Sequence, residues 1–205
     1  MSEVFASISG FAGDYVAFAL IAMFLENTIL TRALGTSTSL LIIRKGFPLV
    51  LFSVILTVIT TLSSVLVFLV NPLLKNVAYS YSVTPLLFVL MISLVYVAVL
   101  LITNSCFSKH RQKILPMVHL SAFNCAVLGA LLLGSQSNMN FASFLGFGLG
   151  TGLGFALATF LLSIAYDRLY SDRVPKAFRG FPAMLIYIGI LSLSFYGLIG
   201  HEISF

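Results

Sequence analysis

Phe123-Asn124-Cys125-Ala126-Val127-Leu128-Gly129 is a short interruption, one amide followed by one thiol, inside a long uncharged tract. Between Lys113 and Asp167 run 53 residues without a single Asp, Glu, Lys or Arg. A hydrocarbon core of about 30 Å takes roughly 20 helical residues per crossing, so this tract holds two crossings and a turn, not three. The polar run Ser135-Gln136-Ser137-Asn138-Met139-Asn140 marks the turn. One crossing then covers about Ile114 to Gly134, with Asn124-Cys125 near its middle, and the next about Phe141 to Tyr166.

The same reading extends to the whole chain. Of 205 residues, 60% are hydrophobic and 8% charged, where soluble proteins carry about a quarter charged, and the mean hydropathy is +1.09. This is the composition of an integral membrane protein: all-α, a single domain over residues 1–205, with length for about six crossings and no soluble domain. The N-terminus opens with Ser2-Glu3 and lacks a basic region and cleavage pattern, so the first hydrophobic stretch is expected to stay. The net charge of +5 does not imply nucleic acid, because the cations stand at the edges of hydrophobic spans, where membrane topology places them. Cys106 and Cys125 are too few for a disulfide framework; the plain reading of a membrane cysteine is a small apolar filler.

The first span runs from about Tyr15 to Leu34 and carries Glu26, Asn27 and Arg32, groups that are costly at that depth unless paired or facing protein or water. Gly35-Thr36-Ser37-Thr38-Ser39 follows, then Leu40-Leu41-Ile42-Ile43 and the Arg44-Lys45 anchor. A break near Gly35 with a short second half-helix is expected; the alternative is a continuous helix whose hydroxyls bond back to its own carbonyls. The second span is Phe47 to Val70, closed by Asn71-Pro72. The third runs from Pro85 to Cys106. The fifth carries Gly146, Gly148, Gly150, Gly152 and Gly154, which read as close-packing series or as a further backbone break. The sixth is Pro182 to Gly200.

The loops after spans one, three and five hold Arg44 and Lys45; Lys109, Arg111 and Lys113; and Arg168, Arg173, Lys176 and Arg179. The other side holds only Lys75 among lysines and arginines, with Glu3, Asp14 and Glu202. Positive loops face the cytoplasm, which puts both termini outside. Spans one to three open with Asn27 and then Ala33-Leu34-Gly35-Thr36-Ser37; spans four to six open with Asn124 and then Leu132-Leu133-Gly134-Ser135. Two three-span units of opposite entry, about 12–107 and 114–200, make an inverted repeat whose broken first helices meet near the midplane.

Three motifs carry a family resemblance: Glu26-Asn27-x-x-Leu30-x-x-x-Leu34-Gly35; Asn124-Cys125-Ala126-Val127-Leu128-Gly129; and Val174-Pro175-Lys176-Ala177-Phe178-Arg179-Gly180 with Leu191-Ser192-Leu193-Ser194-Phe195. Over essentially its whole length the chain resembles the paired six-helix membrane subunits of the Rnf and Nqr ion-translocating oxidoreductases, in particular the Rnf component designated A and its Nqr counterpart designated E. The resemblance implies a bacterial or archaeal plasma (inner) membrane location, a homologous six-helix partner and other Rnf-type subunits. It also implies a [2Fe-2S] cluster held between the pair, each member giving one cysteine from each broken helix, and electron flow coupled to Na+ or H+ movement. Four thiolates, two from each member of the pair, are ordinary ligation for such a centre.

Cys125 matches the second-half ligand, but the first-half position, two residues after Gly35, is Ser37. Three readings stay open. Ser37 ligates as an alkoxide, a harder donor; the fourth ligand comes from elsewhere, Cys106 included; or the cluster is lost and the scaffold kept. Glu26 is read as a pairing partner for Arg32, with an ion path as the alternative. Asn27 and Asn124 are read as satisfying backbone at the breaks, with ion coordination as the alternative. His119 is read as a hydrogen-bonded interior histidine, and Lys109-His110-Arg111-Gln112-Lys113 as a surface anchor or a docking site for a redox partner. No catalytic carboxylate pair, Ser/His/Asp set or phosphate-binding loop is present. The leading function is an electron-transferring subunit of an Rnf-type complex, not catalytic alone. A cofactor-free ion conduit or scaffold and an autonomous transporter are the competing readings.

Overall fold

The computed structural model describes residues 2–74, 80–106, 111–137 and 139–199, and all regular structure in it is helical. Eight helices follow in chain order: α1 (Ser2–Leu20), α2 (Thr36–Lys45), α3 (Leu49–Leu74), α4 (Ser80–Cys106), α5 (Arg111–Ala122), α6 (Cys125–Gln136), α7 (Phe141–Leu169) and α8 (Phe181–Ile199). Three are long and apolar enough to cross a membrane: the segments Leu49–Pro72, Val83–Ser105 and Phe141–Leu169. A fourth crossing is available if α5 and α6, bent by 41° at their junction, count as one broken span. Gly10–Leu25 and Phe181–Gly197 are apolar but shorter. Lys75, Lys109, His110, Asn138 and His201 to Phe205 lie outside the described residues.

Local chemistry explains the breaks. α1 widens into a π-helical turn, Ile21–Leu25, closed by Glu26 N–H donating to Ile21 O. Such turns arise where an extra residue is forced into the helical ladder. The regular helix therefore stops at Leu25, and the first interruption spans Glu26 to Gly35; the sequence-based span to Leu34, with its break at Gly35, is corrected by about two turns. The signal was in the polar trio Glu26-Asn27-Thr28, where side chains compete with the helix for backbone partners. α2 ends at Gly46, in the left-handed region at φ 65° and donating to Ile42 O and Ile43 O, the usual glycine exit from a helix. The second span closes at Asn71-Pro72 as expected, the apolar segment running Leu49–Pro72, while the helix itself continues two residues further, to Leu74. α4 begins at Ser80 and takes Pro85 within it.

α7 is the central element, packed against α1, the π turn, α2, α3, α6 and α8. Its glycines work as two series facing two neighbours. A Cβ on Gly146 or Gly150 would lie 2.2 Å from the carbonyl oxygens of Tyr15 and Ala19 in α1. One on Gly152 would lie 2.2 Å from Thr57 Oγ1 of α3, and one on Gly148 2.8 Å from Ser64 Oγ. Only hydrogen fits, so both helices approach the α7 backbone closely. α7 runs unbroken through all five glycines, which sets aside a second backbone break there. Asn140 caps it, accepting from Ser143 N–H at 2.8 Å, and donates to Asp14 of α1 at 2.7 Å. The main core joins both interruptions through Ile29, Leu30, Met117, Ala126, Val127 and Phe155. Large apolar side chains such as Val50, Leu86 and Leu193 point outward, as a lipid-facing or partner-facing surface requires.

Candidate functional site at the junction of two broken helices

The first interruption is organised by Asn27, whose side chain is fully buried. Its Oδ1 accepts from Ile29 N–H (3.1 Å) and Leu30 N–H (3.2 Å), and its Nδ2 donates to Met23 O and Gly154 O, both at 2.9 Å. One amide thus binds the end of the π turn, the start of the loop and the backbone of α7. Gly154 must be glycine for this, since a Cβ there would sit 2.9 Å from Asn27 Nδ2. The loop folds back on itself through Thr31 N–H to Asn27 O (2.9 Å), Ala33 N–H to Ile29 O (3.0 Å) and Leu34 N–H to Thr28 O (2.8 Å), and the Ser192 hydroxyl of α8 donates to Leu30 O. Ala33 takes φ 56°, a left-handed conformation rarely held by a residue with a Cβ. Glu26 pairs with Arg32 at 3.1 Å, each side chain nearly half exposed.

The second interruption is only Phe123-Asn124. Asn124, also buried, is extended (φ −97°, ψ 129°) and caps α6, its Oδ1 accepting from Ala126 N–H at 3.0 Å. Asn is among the preferred residues at this position because its oxygen fills the role of the missing helical acceptor. Unlike Asn27, its Nδ2 has no hydrogen-bond partner among the described residues.

The two interruptions meet. Gly35 N–H donates to Cys125 Sγ at 3.0 Å. A Cβ on Gly35 would lie 3.0 Å from Asn124 Oδ1 and 3.1 Å from Ala126 Cβ, and one on Gly129 would lie 2.3 Å from Leu34 Cδ1. Leu34-Gly35 is therefore pressed onto Asn124-Cys125-Ala126 and Gly129, so the two conspicuous motifs of the sequence are halves of one contact. Cys125 is the first residue of α6 and its thiol is exposed. It opens into a cavity of about 240 Å³ that it shares with Val89, Phe123 and Leu128.

Ser37 is brought to the N-terminal turn of α2 and is exposed, but it lines two cavities on the α8 side, not the one that Cys125 lines. Among the described residues no three His, Cys, Asp or Glu side chains gather where a metal could sit. Cys106 is the last residue of α4, and its side chain lies outside the described residues. His119 bonds Tyr96 OH through Nδ1 at 2.6 Å, but on an exposed face, which corrects the expectation of an interior histidine. Tyr96 also stacks on Phe123 with ring centroids 5.2 Å apart. This aromatic cluster beside the cysteine had no periodic signal in the sequence, because its members come from α4, α5 and the break.

These features define a polytopic helical membrane protein in which two interrupted helices touch and leave one thiol accessible. The chain belongs to the Rnf-Nqr family of membrane subunits, whose description, "Rnf-Nqr subunit, membrane protein", matches residues 15–201. It is 31% identical over 184 residues to the A component of the Na(+)-translocating ferredoxin:NAD(+) oxidoreductase complex of Acetobacterium woodii, covering 89% of this chain and 95% of the relative. It is 30% identical over 190 residues to the A component of the ion-translocating oxidoreductase complex of Shewanella denitrificans, covering 91% and 97%. It is 28% identical over 201 residues to the E component of the Na(+)-translocating NADH-quinone reductase of a Psychrobacter species, covering 93% and 100%. The resemblance read from the three motifs is thereby established at the level of the family.

Proposed function

We propose that this chain is the membrane subunit of an Rnf-type ion-translocating electron transport complex and helps pass electrons across the membrane through a [2Fe-2S] cluster shared with a homologous six-helix partner, the flow being coupled to Na+ or H+ translocation. In this reading the broken α1/α2 and α5/α6 pairs each count as one crossing and, with α3, α4, α7 and α8, complete six. The crossings form two inverted three-helix repeats, about 12–107 and 114–200, in a bacterial or archaeal plasma membrane with both termini outside.

The observation that carries the reading is the exposed Cys125 thiol, placed by a helix break and receiving the Gly35 N–H. Its position fits a cluster ligand: it faces outward, where a partner can complete the set, and backbone donors to sulfur are among the levers that set a cluster's potential. Cys125 would hold the cluster as a thiolate, and Ser37 would contribute a hydroxyl oxygen in place of the family thiol. The group, when bound, supplies one-electron transfer. Asn27 and Asn124 hold the two breaks in register, and the Glu26–Arg32 pair neutralises the charge at the first.

Ser37 also favours a second reading, a cofactor-free ion conduit or assembly scaffold of the same kind of complex, since a hydroxyl is a poor iron donor beside a thiolate. Electron paramagnetic resonance of the purified complex separates the two. A reduced-state signal lost in Cys125→Ser and shifted in Ser37→Cys supports the shared cluster, whereas no signal depending on Cys125 leaves only the conduit or scaffold.

A further inference from the structure

We propose that the cavity where the C-terminal ends of α2 and α7 meet the N-terminal end of α8 is a binding site for an anionic phospholipid. The cavity has a volume of about 250 Å³ and is walled by Leu40, Phe181 and Met184, with Ser37, Arg44, Tyr166 and Tyr170 as its polar members. The apolar wall is continuous with the core cluster that joins α2, α7 and α8 through Leu40, Leu162, Met184 and Ile188.

Three features select an anion joined to an apolar tail. The salt bridges found among the described residues are Arg32–Glu26 and Arg179–Asp172, so Arg44 has no carboxylate partner there. Phe181 opens α8, which turns the positive end of that helix's dipole toward the same wall; the opposing C-terminal carbonyls of α2 are offset by Arg44, which lines the cavity from that helix's last turn. Tyr166 and Tyr170 stack with centroids 4.4 Å apart, and paired tyrosines at the end of an apolar helix are the side chains that settle at headgroup depth. The same chain end carries Arg168, Arg173, Lys176 and Arg179 against Asp167 and Asp172, the latter paired with Arg179, a positive excess that suits a negative headgroup over a zwitterionic one. A lone inorganic phosphate satisfies the cation but leaves the walls of Leu40, Phe181 and Met184 unused. The inference rests on membrane insertion; Ser37, the first-break position of the proposed cluster, also lines this cavity, so retention is read with Ser37 and Cys125 unchanged.

The test is native mass spectrometry of the purified, delipidated complex titrated with phosphatidylglycerol, phosphatidylethanolamine or inorganic phosphate. Phosphatidylglycerol should be retained, and Arg44→Gln should weaken that retention about five-fold, the equivalent of one interfacial cation. Lys45→Gln, which removes a cation whose Nζ lies over the Phe47 ring at 5.9 Å and does not line the cavity, should leave retention unchanged and shows that the complex survives loss of a neighbouring charge. A photoactivatable phosphatidylglycerol should label the peptide carrying Phe181 and Met184. Equal retention of the two lipids, displacement by inorganic phosphate alone, an Arg44→Gln effect no larger than that of Lys45→Gln, or cross-linking of Phe181 to another protein of the complex in place of lipid each overturns the proposal.

Discussion

Replacing Asn27 by alanine should destabilise the protein far more than the same change at Asn124, although both asparagines open on the same kind of break. Asn27 is fully buried, and its loss strands the N–H groups of Ile29 and Leu30, which bond only its Oδ1. Each buried unsatisfied donor costs about 1–3 kcal/mol. The two carbonyls it also bonds, Met23 O and Gly154 O, keep their place in or beside helical ladders and add little. Side-chain hydrogen bonds between membrane helices average about 0.6 kcal/mol, which pulls the sum to the lower part of its range, about 2–3 kcal/mol. Asn124 makes one capping bond, to Ala126 N–H, and loss of an N-cap costs about 1 kcal/mol. The assay is the temperature at which the detergent-solubilised complex loses its monodisperse peak in size-exclusion chromatography, for wild type and the two variants. Equal losses, or a larger loss for Asn124→Ala, would refute the claim that the first break is held by Asn27.

Gly150→Ala should cost about 1–3 kcal/mol in the same assay, because the new methyl meets the Ala19 backbone carbonyl at 2.2 Å. Gly189→Ala, with nothing within 4 Å of the added carbon, should be neutral or stabilise by about 0.5–1 kcal/mol; the reverse order would contradict the packing of α7. Glu26→Gln or Arg32→Gln should cost at most about 1 kcal/mol, as expected of a half-exposed pair, and a loss matching that of Asn27→Ala would give the pair a larger role than its geometry allows. A reporter fused after Phe205 should appear outside the cytoplasm, and a cytoplasmic signal would reverse the proposed orientation.

Membrane insertion, the helical class and the pairing of the two motifs were legible because they depend on composition, span length and short local interruptions. The glycine series of α7 could be read as packing faces from spacing alone, and the structure assigns Gly146 and Gly150 to α1 and Gly148 and Gly152 to α3. Helix ends were less legible. The π turn at Ile21–Leu25 leaves no mark of its own, and the polar trio Glu26-Asn27-Thr28 after it was the signal that the first break begins before Gly35. Asn71-Pro72 did mark the end of the second apolar segment, Leu49–Pro72, though α3 itself runs on to Leu74. The Tyr96–His119 pair joins the consecutive helices α4 and α5 and the cavity beside Arg44 joins α2, α7 and α8, and no local pattern announces either.

The inequality of the two breaks has a backbone cause. Asn27 finds its second acceptor on α7 because Gly154 lets the amide reach the helix. Under the proposed inverted repeat, α3 stands to Asn124 as α7 stands to Asn27, and α3 contains no glycine between Leu49 and Leu74. The Asn124 amide therefore keeps a donor without a partner among the described residues, immediately before the exposed Cys125 thiol. At the first break the Asn27 amide is fully bonded, Thr28 Oγ1 being the polar atom there without a partner among the described residues. The second break carries an exposed thiol and an unpaired amide donor at the same turn, and the first is the structural clamp that presents Gly35 N–H to that sulfur.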